Sequence, residues 1–525
     1  MTGSERRPNF LLILTDQFHP GCLGYAGHPA VRTPNIDRLA AAGVRFDRAY
    51  TPQPLCMPAR ASLFTGRTPR GHGVRMNGIP LDPAVPTFTQ ALLDAGYRTH
   101  SCGKIHLSCN KPGGSKDAVK SRAGYPGLSA SQNQERLSKI SLPYYGFSGV
   151  DLCDGHAITS WGHYIEWLRR EHPDEAPLFL DAVALEEPGP AFHLYNRKSF
   201  KWALPAALHP MTWIADRTID FLSDAASRPE DPFFLVCSIQ EPHSPFAPPK
   251  EYAYNFDPSE VPPAVGREGE LDDLPPHFRA MREGNVVTSG NPAQPMNLTD
   301  PHRDECAAHY FSLIEMLDDQ VGRVLKQLDE SGLRENTVVM FLADHGEALG
   351  DHGMWGKGPY HFDSVIRVPF LISWPGQFSE GIVHQGLVNL LDVGPTVLDL
   401  AGVPIPEGPV CDPPEAPGAP PPWPGHSLVP VLRGEDSTGA DRTLVEMDED
   451  YLGFKMRTLV TRQHRITCYS GQSYGELFDL ENDPQELHNL WNSPAHCALR
   501  DELRIELLDE IMRTDISLPR QIQRA

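Results

Sequence analysis

Residues 9–17 read NFLLILTDQ, an unbroken apolar run from Phe10 to Thr15 that ends on an acid and an amide, Asp16 and Gln17. A run of this length suits a buried strand better than a helix. Basic residues precede it, as in an export signal. The apolar stretch is too short for one and leads straight into Asp16, so it reads as the first core strand. Without an export signal the expected location is the cytoplasm.

The same strand-then-polar pattern recurs outward from this point. Thr33 is placed as an N-cap with Pro34 at the first helical position. Ile36, Leu39 and Ala40 form an apolar stripe, and Gly43 is expected to end that helix. Residues 87–95 predict a helix and 97–102 a strand. A helix near 212–225 precedes a strand at 233–239, and a long helix near 303–330 precedes one at 338–342. Such alternation predicts an α/β fold, a mostly parallel sheet with helices on both faces. Residues 107–210 and 245–302 break the pattern and are expected to be irregular excursions over the sheet edge, where substrate pockets are built. Trp161, Tyr164 and Trp167 in the first excursion recur at roughly helical spacing and are expected to pack rather than to stack on a substrate. Pro404 to Pro424 is dense in proline and reads as an extended surface loop. Strand-like runs follow at 443–447, 456–461 and 465–469, with an amphipathic helix near 498–513. We place a boundary near 430, dividing residues 1–430 from a smaller unit of 431–525.

The 525 residues carry a formal charge of −22. That balance argues against nonspecific nucleic-acid binding, and no apolar run is long enough to span a membrane. The ten cysteines show no CxxC pair and no zinc-type spacing. In a reducing compartment they stay as thiols. An anionic substrate would meet a repelling global field, so an anion site on this chain requires a local cluster of cations.

Four predicted strands hand polar residues to one edge. Asp16 and Gln17 follow the first; Lys104 and His106 follow 97–102; His243 follows 233–239; Asp344 and His345 follow 338–342. Ligands of open α/β sheets bind at the carboxyl ends of strands. Asp16, Gln17, Asp344 and His345 suit a hard divalent cation. Cys56, in the stretch PLCMPARASLFTG (54–66), is a soft donor and fits such a site badly. Either it is an ordinary core residue or it does not act as a cysteine. Arg60 would lie near the start of a helix over 58–66, where free amides and the positive dipole end suit an oxyanion. Lys104 and His106 would share one side of an extended segment and hold an anion or protonate a leaving group. Lys357 sits in a glycine-rich turn. Together Arg60, Lys104, His106, His243 and Lys357 would form the required cationic pocket.

Cys56-Met57-Pro58-Ala59-Arg60 with Thr65-Gly66-Arg67 resembles the Cys-x-Pro-x-Arg signature, and its extension, of the sulfatases of the alkaline-phosphatase superfamily. Thr33 to Asp37, Gly103 to His106, Ala343 to Gly346, and the C-terminal Glu476 to Leu480 with Asp483-Pro484 and Asn489-Leu490 are similar to further motifs of that family. The resemblance spans nearly the whole chain. It implies a mixed, mostly parallel central sheet flanked by helices, with a smaller C-terminal α+β domain carrying an antiparallel sheet. It implies hydrolysis of a sulfate monoester to an alcohol and inorganic sulfate. Cys56 would be converted by a formylglycine-generating enzyme to formylglycine, whose hydrate attacks sulfur and then expels sulfate. Asp16, Gln17, Asp344 and His345 would bind one divalent ion, usually Ca2+, with Mn2+ or Mg2+ as alternatives. Arg60 would stabilise the hydrate. Lys104, His243 and Lys357 would hold sulfate oxygens or assist the leaving group, His106 would orient or deprotonate the diol, and Asn77 would face the substrate. The substrate would be a sulfated small molecule or carbohydrate; its identity and the oligomeric state are not readable. Gln17 departs from the second aspartate of many members. The Asp-Gln and Asp-His pairing is also similar to the superfamily's phosphonate and phosphodiester hydrolases and to choline sulfatase, whereas the Lys104-x-His106 pair favours sulfatases. A silent binding protein of this fold would keep Cys56 as a thiol and bind no metal.

Overall fold

The computed structural model describes residues 6–108, 129–186, 199–283, 300–406, 423–436, 438–450 and 452–515. All but the two ends of the proline-dense stretch lie outside these residues. The main sheet contains β1 (Asn9–Thr15), β2 (Val44–Phe46), β3 (Arg98–Gly103), β4 (Gly149–Asp154), β5 (Trp161–Gly162), β6 (Phe233–Ser238), β7 (Thr337–Ala343), β8 (Phe370–Ser373) and β9 (Ile382–His384). Their order is β9-β2-β8-β7-β1-β6-β3-β4-β5. From β7 through β4 every neighbour is parallel, while β8 and β5 run antiparallel to theirs. Every residue of β1, β6 and β7 is buried, which is why these strands read as continuous apolar runs rather than alternating ones.

The helices pack as two groups. One holds α1 (Pro34–Ala41), α4 (Pro210–Ala226) and α5 (Asp300–Glu330); the other holds α2 (Cys56–Thr65), α3 (Phe88–Asp94) and α6 (Val393–Ala401). Two details of α1 differ from expectation. The Thr33 hydroxyl donates to Asp37 Oδ1 (2.9 Å) instead of capping the helix, and the first-turn amides of Asn35 and Ile36 donate to the Asp318 carboxylate of α5. A distant acid thus does the work of a local cap. Gly43 supplies no left-handed helix end. It is there for close approach, because a Cβ would lie 2.3 Å from the Ile372 carbonyl oxygen of β8.

The excursion at 107–210 is less irregular than expected. Its described part adds β4 and β5 to the sheet and forms helices Ala130–Leu137 and His163–Glu171. Tyr164 is fully buried among Phe179, Trp167 and Trp213, so these aromatics pack.

A second sheet follows: β10 (Arg442–Glu449), β11 (Phe454–Thr461), β12 (His464–Tyr469) and β13 (Gly475–Asp479), antiparallel in that order. Leu444, Leu459, Ile466 and Leu477 pack on Leu503 and Leu507 of α7 (Cys497–Arg513). Alternate residues face the main body, where Val445 and Val460 meet Tyr50 and Ile366, and Met447 and Met456 meet Leu55 and Met76. The apolar residues of α7 are not confined to one face: Ile505, Leu508 and Met512 are exposed.

Candidate active site

Five adjacent parallel strands, β7-β1-β6-β3-β4, end on one edge of the main sheet. Asp344 and His345 directly follow β7, and Asp16 and Gln17 directly follow β1. His243 comes soon after β6, Lys104 and His106 after β3, and His156 after β4. The strand ends are tied together. Asp344 N donates to Thr15 O (3.1 Å), Phe18 N to His345 O (2.9 Å) and Gln17 N to Asp344 Oδ1 (3.2 Å). Gly103, at φ +103°, lets β3 close on β6, since a Cβ there would lie 2.0 Å from Ser238 O. Gln17 and His106 both sit at positive φ (62° and 55°), so the chain turns sharply past each strand. Lys104 and His106 therefore do not share an extended segment.

Cys56 opens α2, whose ten residues are all buried. Leu55 gives no side-chain cap; Met57 N instead donates to Asn77 Oδ1 at 3.0 Å. The Asn77 carbonyl oxygen is thus committed to holding this helix, which narrows the expected substrate-facing part to its amide nitrogen. The Cys56 sulfur, 1% exposed, lies 2.9 Å from Lys357 Nζ, 3.3 Å from His345 Nε2 and 3.5 Å from Asp16 Oδ1. Burial, then the Asp16 charge, raises its pKa above the ordinary thiol value.

Arg60 ties the strand ends from below. Its Nε donates to Asp344 Oδ2 (2.7 Å), its Nη1 to Lys104 O (2.8 Å) and Ser238 Oγ (2.9 Å), and its Nη2 lies 3.5 Å from Asp16 Oδ2. Asp16 is fully buried; burial pushes its carboxyl up, but Lys104, His243, Lys357 and Arg60 together hold it well below the usual range. Lys104 Nζ bonds Asp16 Oδ2 and lies 2.6 Å from His156 Nε2. Lys357 Nζ reaches Gln17 Oε1 (2.7 Å), Cys56 Sγ and His345 Nε2 (2.9 Å). The Arg60 guanidinium and the Lys104 and Lys357 ammonium groups thus surround the Asp16 carboxylate.

Asp16, Cys56, Asp344 and His345 offer donor atoms that all lie within 4.8 Å of one another. His345 Nδ1 donates to Gly346 O (2.9 Å), which leaves its Nε2 lone pair facing the cluster. Burial and then Lys357 pull this imidazole down to about 4, so it is a neutral donor at pH 7. Two buried carboxylates with a correctly oriented imidazole fit a divalent cation. Gln17 is placed beside them with its Oε1 turned to Lys357 and its Nε2 to Glu347.

Two residues escaped the sequence reading. Glu347, fully buried, accepts from Leu349 N, Gly356 N and Gln17 Nε2. It explains the amide at position 17, because an aspartate there would face a second carboxylate. His156 stacks on His243 with ring centres 3.5 Å apart and 13° between planes. The signal for it was the run GVDLCDGH (149–156), a strand followed by glycine and a polar residue, like GKIH (103–106).

Comparisons with known proteins agree with this geometry. A family profile described as Sulfatase matches residues 8–403. The chain is 29% identical to an arylsulfatase of Clostridium perfringens, over 96% of this chain and 94% of that one. It is 30% identical to the uncharacterized sulfatase YidJ of Escherichia coli, over 96% and 87%. Among solved structures, a phosphonate monoester hydrolase of Agrobacterium radiobacter superposes with a TM-score of 0.77 at 26% identity, covering 97% of this chain and 96% of that one.

Proposed function

The chain belongs to the sulfatase family, and we propose that this sulfuric ester hydrolase works at the strand-end cluster around Cys56, with that residue converted to formylglycine. The observation that carries the reading is the sulfur itself. It stands within 3.5 Å of an acid, an imidazole and an ammonium, among donors that suit an oxygen-bound cation. Conversion replaces the one soft donor with an oxygen. The formylglycine hydrate supplies an oxygen nucleophile for sulfur, and its second hydroxyl supplies the route by which sulfate is released. A divalent cation, Ca2+ with Mn2+ or Mg2+ as alternatives, would be held by Asp16, Asp344 and His345 with Gln17 beside them, and would supply Lewis-acid polarisation.

The remaining roles follow from position. Arg60 pairs with both carboxylates and helps to hold Asp16 ionised. Lys104 and Lys357 present ammonium groups for the sulfate oxygens. His243 donates through Nδ1 to Ser244 O (2.5 Å), so its Nε2 carries a lone pair and can donate to the ester oxygen only after taking up a proton. Burial and Lys357 hold this imidazole well below its ordinary pKa. A bound anion favours the protonated ring, and the proton taken up at Nε2 is the one that would pass to the leaving alkoxide oxygen. His106 would orient or deprotonate the hydrate, a role that rests on the family resemblance. Burial of Asp16, Lys104, Asp344 and Lys357 keeps water from these charges. Maturation requires a formylglycine-generating enzyme as partner. The substrate is a sulfated small molecule or carbohydrate.

The test is sulfate release from a panel of aryl, alkyl and carbohydrate sulfates by matured protein, with peptide mass analysis of the Cys56 segment and Cys56→Ala as control. We expect the aldehyde mass and sulfate release that the control lacks. The similarity to a phosphonate monoester hydrolase, with Gln17 at the metal edge, makes a phosphonate monoester the necessary comparison. A faster phosphonate reaction would overturn the sulfatase assignment.

A further inference from the structure

We propose that His156 is a positioning residue of this site, which aims the Lys104 ammonium and the His243 ring at the sulfate ester. The inference rests on the sulfatase reading and adds a residue that none of the motifs contains. Two independent contacts carry it. His156 Nε2 accepts from Lys104 Nζ at 2.6 Å, and the His156 ring lies flat on His243 at 3.5 Å.

The first contact fixes a direction. An ammonium has three N–H bonds and rotates freely unless acceptors hold it. Asp16 and His156 take two of those of Lys104, which leaves the third with one orientation. The second contact fixes a plane. His243 is anchored at Nδ1 by Ser244 O, and a bond at one ring atom still permits tilting. The stacked imidazole removes that freedom and so sets where His243 Nε2 points.

His156 is itself held. Its amide donates to Thr159 Oγ1 (3.2 Å) and its carbonyl accepts from Thr159 N (2.8 Å). It follows β4, the outermost of the five parallel strands that feed the edge. With 21% of its side chain exposed, the ring stands at the rim of the cluster rather than beneath it. A core histidine would have neither that rim position nor two contacts that both end on groups facing the anion.

Two substitutions separate the two contacts. Glutamine keeps an acceptor near the Nε2 position but no ring, and phenylalanine keeps a ring but no acceptor. In matured enzyme we expect His156→Phe to raise KM by about tenfold and to weaken calorimetric binding of inorganic sulfate by a similar factor, the scale of one hydrogen bond to a charged group. We expect His156→Gln to leave sulfate binding within about twofold. It should lower kcat about tenfold more for an unactivated alkyl sulfate than for para-nitrophenyl sulfate, because only the poorer leaving group needs an aligned His243. His156→Ala should show both losses. The proposal fails if all three variants stay within about twofold of the parent, or if all three lose activity equally without a split between KM and kcat. A parent that turns over no sulfate ester would sink the sulfatase reading instead, and the calorimetric arm would still decide the role of His156.

Discussion

Two arginines among the described residues are fully buried between two carboxylates, and only one of them belongs to the candidate active site. Arg465, on β12, donates to Glu476 (3.0 Å), Glu486 and Thr467 Oγ1 (2.9 Å). Tyr469 donates to the other Glu476 oxygen, Asp363 N to the other Glu486 oxygen at 2.7 Å, and the guanidinium lies 4.6 Å over the Phe478 ring. Both oxygens of each acid there accept from a donor of this network. Arg60 also meets two acids, but these face two ammonium groups, three imidazoles and a thiol. A buried ion pair by itself says little about function. The surplus of donors at a strand end, where backbone geometry makes room for a ligand, is what separates the two.

The largest expected effect tests whether the edge is chemical at all. Cys56→Ala should lower sulfate release by at least about 10⁴-fold, as loss of a nucleophile does. Few side-chain atoms are lost, so the melting temperature should stay within a few degrees. Residual activity of a tenth or more would place the nucleophile elsewhere and erase the distinction drawn above.

The two arginines should then fail in different ways. Arg465→Ala leaves two buried carboxylates without their cation and should lower unfolding free energy by about 3–5 kcal/mol. The molecules that remain folded should keep the parent kcat. Arg60→Ala should lower kcat/KM by about 100-fold or more with a smaller loss of stability, because Lys104 still pairs with Asp16. Denaturant titration beside steady-state kinetics reads both. Equal profiles for the two variants would mean that they differ in place and not in kind.

Much of this edge was legible because apolar strands announce where they stop. Asp16, Lys104 and Asp344 were found by adjacency to a run, and the structure brings them together. Where the reading fell short, a long-range partner had altered the local pattern. β4 was missed because Asp151 sits inside it, paired with His100 at 2.8 Å across the sheet. β13 was missed as a strand because Glu476 occupies an interior position that Arg465 and Tyr469 make tolerable. Asp318 caps α1 from far along the chain, and no window of sequence contains both. Gln17 is the same case at the active edge: its departure from aspartate becomes intelligible only once Glu347 stands beside it.

That pair gives the next test. Gln17→Asp should not tighten metal binding. It should destabilise the protein by roughly 3 kcal/mol, the scale for setting a buried charge without a partner, since the new carboxylate meets Glu347. Adding Glu347→Gln should recover most of the loss, with a coupling energy of opposite sign to the single effects. Melting curves and calcium titrations of the three variants measure it. Tighter metal binding by the single variant would show that the amide at position 17 is not set by Glu347.

Glu241 extends the comparison to an acid that has no partner. It lies just past β6, with both oxygens free of hydrogen bonds and His209 Nε2 3.9 Å away. Burial, with a smaller push from Asp16, raises its carboxyl from 4.5 to about 8. Folded protein therefore keeps a proton that the unfolded chain has released. Stability from this group is full below about pH 4.5 and is lost as pH rises toward 8, by at most about 1.4 kcal/mol per pH unit. The buried imidazoles of His72, His209 and His309, held near 3 by desolvation, act in the opposite sense below pH 6.5. Above that pH the difference between parent and Glu241→Gln isolates the carboxyl. The parent should lose about 2 kcal/mol more than the variant between pH 6.5 and 8 in urea unfolding. An equal loss in both would mean that Glu241 is ionised in the folded protein. Its charge would then be balanced by Lys104, and the edge would hold one more paired acid, as the Arg465 network does.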